Sequence, residues 1–476
     1  MKVKFIGFPE AKLKSKPTGG KTVKKALWGD WTVILEEKGN YRKIKCRGAY
    51  GWVHKDKLQD DRLLEINFID VGQGDGCYIV TPDDEVIIVD AGEEDNMYRF
   101  LRWRYNLNRN RYTVPVKHLI ISHPDQDHYY GFRHLVKSTR FKIENVYHNG
   151  IVERKGTHTL GKKEDGFLTE IANTHQKVVD IVTNDNLRGR KRYPTLLNNV
   201  VKNHPNAVIQ MLKKDDEIEN YTKNDKVHLQ ILGPVSETKN GKLALKYLNN
   251  DGETKNGHSV IVQLHFNKVK VLLGGDTNDA SEAYLSEHYT SFNPLTVSDN
   301  DKAEMITKGR KVFQTDILKS CHHGSHKFLD DFLSFFNPVV TVISSGDNET
   351  HTHPRPDTLG TIGKHSRGIR PLIFSTELAR SAKEKTEIKE KDILELAKLY
   401  SERKKASADD KKKISKKIDK LKYSLQRNIA VYGMINVRTD GEKVIIAQKK
   451  EAKGAGFIIY ELHPNADGKL EYAVKK

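Results

Sequence analysis

Ser122–Gly131 reads Ser-His-Pro-Asp-Gln-Asp-His-Tyr-Tyr-Gly and packs His123, Asp125, Asp127 and His128 into one turn. Neutral imidazole nitrogen and carboxylate oxygen are ligands of first-row divalent metals. The competing role for such residues is to cap a following helix. Further polar residues follow glycines, at the edges of apolar runs. His258 follows Gly257, Asp276 follows Gly274-Gly275, and His322-His323 precede Gly324. His353 lies in the stretch Asp347-Asn-Glu-Thr-His-Thr-His-Pro.

The elements that must position these residues read as buried strands. Val116–Ile121 leads into the first motif, and Val269–Leu273 leads into Asp276. Thr315–Cys321 delivers the His-His-Gly turn, and Pro338–Ser345 precedes His353. Leu64–Asp70, Gly76–Val80 and Glu85–Asp90 open the same unit around Val71-Gly-Gln-Gly-Asp75. Glycine-rich turns let backbone approach a site closely. Apolar runs bounded by Gly and Pro are the strand signal used here.

The run Ser122-His-Pro-Asp-Gln-Asp-His128 resembles the metallo-β-lactamase superfamily, whose signature is His-x-His-x-Asp-His. Asp125 stands where the second His usually stands. That departure looks like the branch containing the nuclease-like domain of ComEC competence proteins. Phe68-Ile-Asp-Val-Gly-Gln-Gly-Asp75 and Ile88-Val-Asp-Ala-Gly92 look like the first strands of that branch. The resemblance implies an α/β fold, the αβ/βα sandwich, over residues 61–375 with closing strands in 428–476. It implies two divalent ions, zinc or manganese. His123, Asp125 and His258 would hold one. Asp127, His128 and His323 or His322 would hold the other, with Asp276 bridging. His323 is preferred because the superfamily's ligand precedes the glycine. Asp75 and Asp90 would support the ligands from behind. Asp127 would also orient the nucleophile, and His353 would protonate the leaving oxygen or hold a phosphate. An oxygen-rich first site shifts the balance toward manganese. Paired cations supply hydroxide near neutral pH and neutralise a phosphoryl oxygen.

Residues 1–60 read separately, as short alternating runs broken by Lys38-Gly-Asn40 and Arg47–Gly51. They resemble a bacterial SH3-like barrel through Gly51-Trp52-Val53. Trp28, Trp31 and Tyr50 would line a groove for a protein partner, or form the barrel's own core. Residues 376–427 carry apolar stripes at helical spacing in a charged background and predict a helical hairpin inserted before the last strands. It is a second candidate partner surface.

The chain has 476 residues and a formal net charge of +18. An excess of this size favours a polyanion, most simply DNA. Basic clusters at Arg102, Arg104, Arg109 and Arg111, and at Arg188, Arg190, Lys191 and Arg192, are the candidate contacts. The first is interleaved with Tyr98, Trp103, Tyr105 and Tyr112, a pattern that can stack along a single strand. No apolar run approaches the ~20 residues that span a bilayer. The Met1–Pro9 segment lacks a signal-peptide core. Three scattered cysteines suit a reducing compartment. These features predict a cytoplasmic protein without a membrane span. The expectation is a two-metal phosphodiesterase acting on DNA. The alternatives are a hydrolase of a small ester, lactam or cyclic nucleotide, and a metal-stabilised partner-binding protein.

Overall fold

The computed structural model describes residues 2–346, 352–376, 390–431, 433–449 and 456–472. Its centre is a pair of stacked sheets. One has ten strands, in the order Val208–Met211, Phe141–His148, Val114–Ile120, Val86–Ala91, Gly76–Val80, Leu64–Phe68, Ile435–Thr439, Val444–Lys449, Phe457–Pro464 and Leu470–Tyr472. The other has six, in the order His228–Gly233, Ile261–Phe266, Val269–Leu273, Ile317–Lys319, Val340–Ile343 and Leu372–Ser375. The layers are what apolar patterning demands. Strands such as Gly76–Val80 and Val86–Ala91 are buried along their whole length because both faces are covered.

Between the sheets lies one apolar layer in which Ile66, Ile79, Ile87 and Val89 meet Leu229, Val262, Val271 and Val342. The outer face of the larger sheet packs on helices Asn96–Arg104, His175–Thr183 and Arg192–Asn203 through Phe100, Val178 and Leu197. The outer face of the smaller sheet packs on helices Asp279–Thr290, Asp299–Phe313 and Asp330–Phe336 through Leu285, Met305 and Phe335. Helix, sheet, sheet, helix is therefore the order of layers. It is the α/β sandwich expected for the main domain.

Closure of the larger sheet comes from far along the chain. Ile435–Thr439 pairs antiparallel with Leu64–Phe68, Ile435 opposite Phe68. Between the smaller sheet's last strand and this closing strand stand helices Glu390–Lys405 and Ala408–Val431. They lie side by side, and the second packs along Asn96–Arg104. It runs a few residues beyond the hairpin boundary expected at 427.

The N-terminal unit is a seven-stranded, all-antiparallel sheet around Ile6, Leu13, Ala26, Ile44, Cys46 and Val53. It is seated on the main domain. Leu27, Trp28 and Leu63 pack with Ile445 and Ala447 of the closing strands. Trp28, expected either in a groove or in the unit's own core, is 2% exposed at this junction, its indole N–H donating to Gln59 at 2.7 Å. Trp31 and Tyr50 do stand on the surface. Among the described residues no helix is long and apolar enough to cross a membrane.

Candidate metal centre

The centre forms where the ends of both sheets meet. Ser122 follows the strand Val114–Ile120, and its carbonyl accepts from Val260 N–H at 2.8 Å, tying the sheets together. Asp276 follows Val269–Leu273, and His323 follows Ile317–Lys319, which pairs parallel with that strand. Asp276 is not a helix cap. The helix that follows is capped by Asn278, whose side chain accepts from Ser281 N–H.

Two backbone features aim the ligands. His322 and His323 both have positive φ, 47° and 53°. Successive non-glycine residues in this region are strained, and such strain collects at functional sites. Gly74, at φ 99°, lets its turn press against the metal-site loop, since a Cβ there would lie 1.6 Å from the Asp127 carbonyl oxygen.

Each ring nitrogen on the far side is held. Asp90 accepts from Ser122 N–H at 2.8 Å, from Ser122 Oγ–H at 2.6 Å and from His128 Nδ1–H at 2.9 Å. It does so from a left-handed backbone conformation, φ 56°, at an irregularity in its strand. Ser122 Oγ gives its proton to Asp90, and Ser259 Oγ gives its own to the Asn256 carbonyl at 2.7 Å. Both hydroxyls are then acceptors toward His123 Nδ1, at 3.0 and 3.3 Å. This network assigns the proton of His123 to Nδ1. His323 Nδ1–H donates to the Ser344 carbonyl at 3.0 Å. In neutral form all three imidazoles therefore turn an Nε2 lone pair inward. Outer partners of this kind orient metal-binding histidines.

The inward atoms converge. His128 Nε2, His323 Nε2 and Asp276 Oδ2 are mutually 3.2 Å apart. Asp127 Oδ2 is 3.5 Å from His323 Nε2, and Gln73 Nε2–H donates to it at 3.2 Å. Ligands bound at about 2.0–2.1 Å around one tetrahedral ion lie roughly 3.3 Å from one another. His123, His128 and Asp276 form a further group of potential ligands. Among the buried atoms with no hydrogen-bond partner within the described residues, His123 Nε2, Asp276 Oδ1, Asp75 Oδ1 and His322 Nδ1 lie in this cluster. Buried polar atoms without partners are rare in folded proteins. Donor chemistry, spacing and these open atoms all fit a divalent cation.

Charge is concentrated here. Burial would lower the pKa of His128 and His323, but Asp276, with Asp90 for His128 and Asp75 for His323, raises both well above the usual range. Burial would raise the Asp276 carboxyl, yet His128, His323 and His322 hold it well below the usual range. His123 is pushed well down, by burial first and by His128 second, and is neutral. Lys319, 4% exposed, contacts Asp75, donates to the Gly275 carbonyl at 3.3 Å and lies 4.0 Å from Asp276 Oδ1. Burial opposes its charge, but Asp75 and Asp276 retain it. This lysine was not anticipated. The signal was a lysine inside the otherwise apolar Ile317-Leu318-Lys319, immediately before the paired histidines.

The other expected residues lie around this convergence rather than in it. His258 is buried, but its Nε2 bonds the Lys246 carbonyl at 2.6 Å, drawn there by the strand Lys242–Lys246 of a small four-stranded sheet. Asp125 Oδ2 is 4.0 Å from His123 Nε2, while Lys255 Nζ contacts Asp125 Oδ1. His322 is farther out than His323, its Nε2 3.9 Å from Asp276 Oδ2. His353 lines the cavity of about 470 Å³ above the centre, with its ring 5.9 Å from His322 and 6.3 Å from His323. Residues 347–351 of its motif lie outside the described residues.

The basic clusters divide as well. Arg104, expected on a nucleic-acid surface, is locked bidentate on Glu65 at 2.8 and 2.7 Å. Arg102 is turned to Asn108 and lies over the Tyr98 ring. Arg188 donates to the Val182 carbonyl at 2.6 Å and contacts Asp185. The charge of Arg104 is spent within the fold, whereas these partners of Arg102 are neutral. Arg109, Arg111, Arg190, Lys191 and Arg192 are exposed. Arg192 reaches Gln126, between Asp125 and Asp127, which brings the second cluster beside the centre.

Residues 76–204 match the family model of the metallo-beta-lactamase superfamily. That span contains His123, Asp127 and His128 and stops short of Asp276 and His323. No curated protein matches the chain. Among solved structures, zinc-bound PqqB from Methylobacterium extorquens aligns over 64% of this chain and 85% of its own, at 8% identity and a TM-score of 0.30. Residues 76–204 thus carry a metallo-beta-lactamase superfamily domain, and the cluster that this span forms with Asp276 and His323 is a candidate metal site.

Proposed function

We propose that this protein is a metal-dependent phosphodiesterase that cuts DNA. The observation that carries the reading is the convergence of His128 Nε2, His323 Nε2 and Asp276 Oδ2 at 3.2 Å, with each ring's other nitrogen already committed. A superfamily domain of generally hydrolytic character supports hydrolysis. The exposed Arg190-Lys191-Arg192 run beside Gln126 and the excess positive charge support a polyanionic substrate.

A divalent cation held by Asp127, His128, His323 and Asp276 would acidify water and draw charge from a phosphoryl oxygen. The chain's own residues do the remaining work. Gln73 fixes the Asp127 carboxylate, which faces the cavity and orients the attacking water. His353 faces the same cavity and hands a proton to the leaving oxygen. Asp90, Ser122, Ser259 and Ser344 keep the three imidazoles from rotating. The similarity of Ser122–His128 to the ComEC branch supports DNA over a small ester as substrate.

Labelled single- and double-stranded DNA incubated with the protein and Mn²⁺ or Zn²⁺ tests this. Cleavage that disappears in an Asp127→Asn, His128→Ala double variant is the expected result. No cleavage of either DNA, with bis-nitrophenyl phosphate still cut, would move the substrate to a small phosphoester.

A further inference from the structure

The sequence pattern assigns His123, Asp125 and His258 to one cation and Asp127, His128 and His323 to another. The structure assembles the second set and not the first. His258 Nε2 is committed to the Lys246 carbonyl at 2.6 Å, and the ring is 1% exposed. Asp125 is satisfied on both oxygens. Lys255 Nζ contacts Oδ1, and the Asn256 amide, in the orientation that suits its neighbours, donates to Oδ2 at 2.8 Å. Lys255 also lies 3.8 Å from Glu153 Oε1, so two carboxylates draw its ammonium to this point.

The lysine is firmly placed. It sits on the helix Asp251–Gly257, whose Asn250 cap accepts from Glu253 N–H at 2.9 Å. Its side chain is 17% exposed. Asn149 Nδ2–H donates to its carbonyl at 3.4 Å. An ammonium and a divalent ion competing for one carboxylate repel each other, and the lysine is tethered there by the chain.

We propose that the centre takes one divalent cation per chain and that the Lys255 ammonium stands where a second cation would be. The proposal rests on the reading of this cluster as a metal centre, but not on its substrate. A lysine in that position leaves His123 to serve the single ion through the Asp276 side of the cluster. It also makes His258 a structural residue.

The test is metal content of the full chain. Protein stripped with a chelator is re-equilibrated with Zn²⁺ or Mn²⁺ alone, dialysed, and measured by elemental analysis. One equivalent in the wild type, one in His258→Ala with unchanged affinity, and in Lys255→Met a second, more weakly held equivalent shared by Asp125 and His123 is the expected pattern. Zero or two equivalents in the wild type, or loss of the ion in His258→Ala, overturns the single-ion count. One equivalent in Lys255→Met overturns the part given to the lysine. Should Lys255→Met not fold, the wild type and His258→Ala still decide the count. No substrate enters the measurement, so failure to cut DNA would defeat the proposed activity and leave this count standing.

Discussion

Buried charge gathers in two places in this chain, and each handles it differently. At the junction between the N-terminal sheet and the main sheet, Arg438 donates to Asn436 at 2.8 Å, to the Trp28 carbonyl at 2.5 Å and to Asp30 at 2.7 Å. Its second arm lies 3.5 Å from Glu65, which Arg104 grips bidentate. Arg47 completes Asp30 at 2.8 Å. Burial would raise the Asp30 and Glu65 carboxyls, but these guanidiniums keep both low. At the metal centre, carboxylates and imidazoles also crowd together, yet His123 Nε2 and Asp276 Oδ1 lack hydrogen-bond partners among the described residues. A closed network of buried charge holds parts of a fold in register. An open one, with donor atoms aimed at a common point, asks for an ion. The distinction lies in bond accounting rather than in burial, since both groups are equally hidden.

The comparison is most sharply tested by emptying the open network. Asp127→Asn with His128→Ala should abolish the bound ion and lower hydrolysis by more than about 100-fold, beyond the range seen for loss of an outer partner. Elemental analysis and a turnover assay read the two effects. Opening the closed network should instead damage stability. Arg438→Ala takes one of two guanidiniums from each of Asp30 and Glu65, and because leaving a buried charge fully unpaired costs about 3–5 kcal/mol, the loss here should stay below that. Denaturant unfolding should show that loss while metal content stays the same. A loss of metal in this variant would mean the two networks are coupled.

Between these lies Asp90, which serves the open network from behind. Asp90→Asn should weaken metal affinity about 10–100-fold with the ligands unchanged, as read by competition with a chelating dye. The smallest effect concerns pH. In the metal-free protein His128 and His323 hold protons, because Asp276 and its neighbours outweigh burial. Asp127 and Asp276 are already ionised, their carboxyls held low against burial by His128 and His323. Binding must therefore expel protons from imidazole and not from carboxyl, so affinity rises with pH. Titration calorimetry in buffers of different ionisation enthalpy would count them. Affinity that falls with rising pH would break this account.

Much of the centre was legible because its residues sit at the ends of apolar runs, where local pattern and tertiary position coincide. Asp127, His128, Asp276 and His323 all have this signature. The layers of the sandwich were legible for the same reason. The less legible features depend on partners remote in sequence. Lys255 meets Asp125 across 130 positions, and on a helix such a lysine reads as a solvated charge. His258 follows glycine as a ligand might, but the Lys246 carbonyl that captures it belongs to another strand. Arg104 shares a basic-aromatic run with Arg109 and Arg111, and only the fold of Leu64–Phe68 shows that Glu65 takes it out of solvent. Charge in sequence is anonymous until its counter-ion is known.

His128 and Asp127 hang from the ten-stranded sheet, whereas Asp276 and His323 hang from the six-stranded one. An ion held by all four is therefore a rivet across the seam of the sandwich. Chelation should loosen that rim, with amide exchange quickening at the turns around residues 122–128 and 320–324 while the strands behind them stay protected.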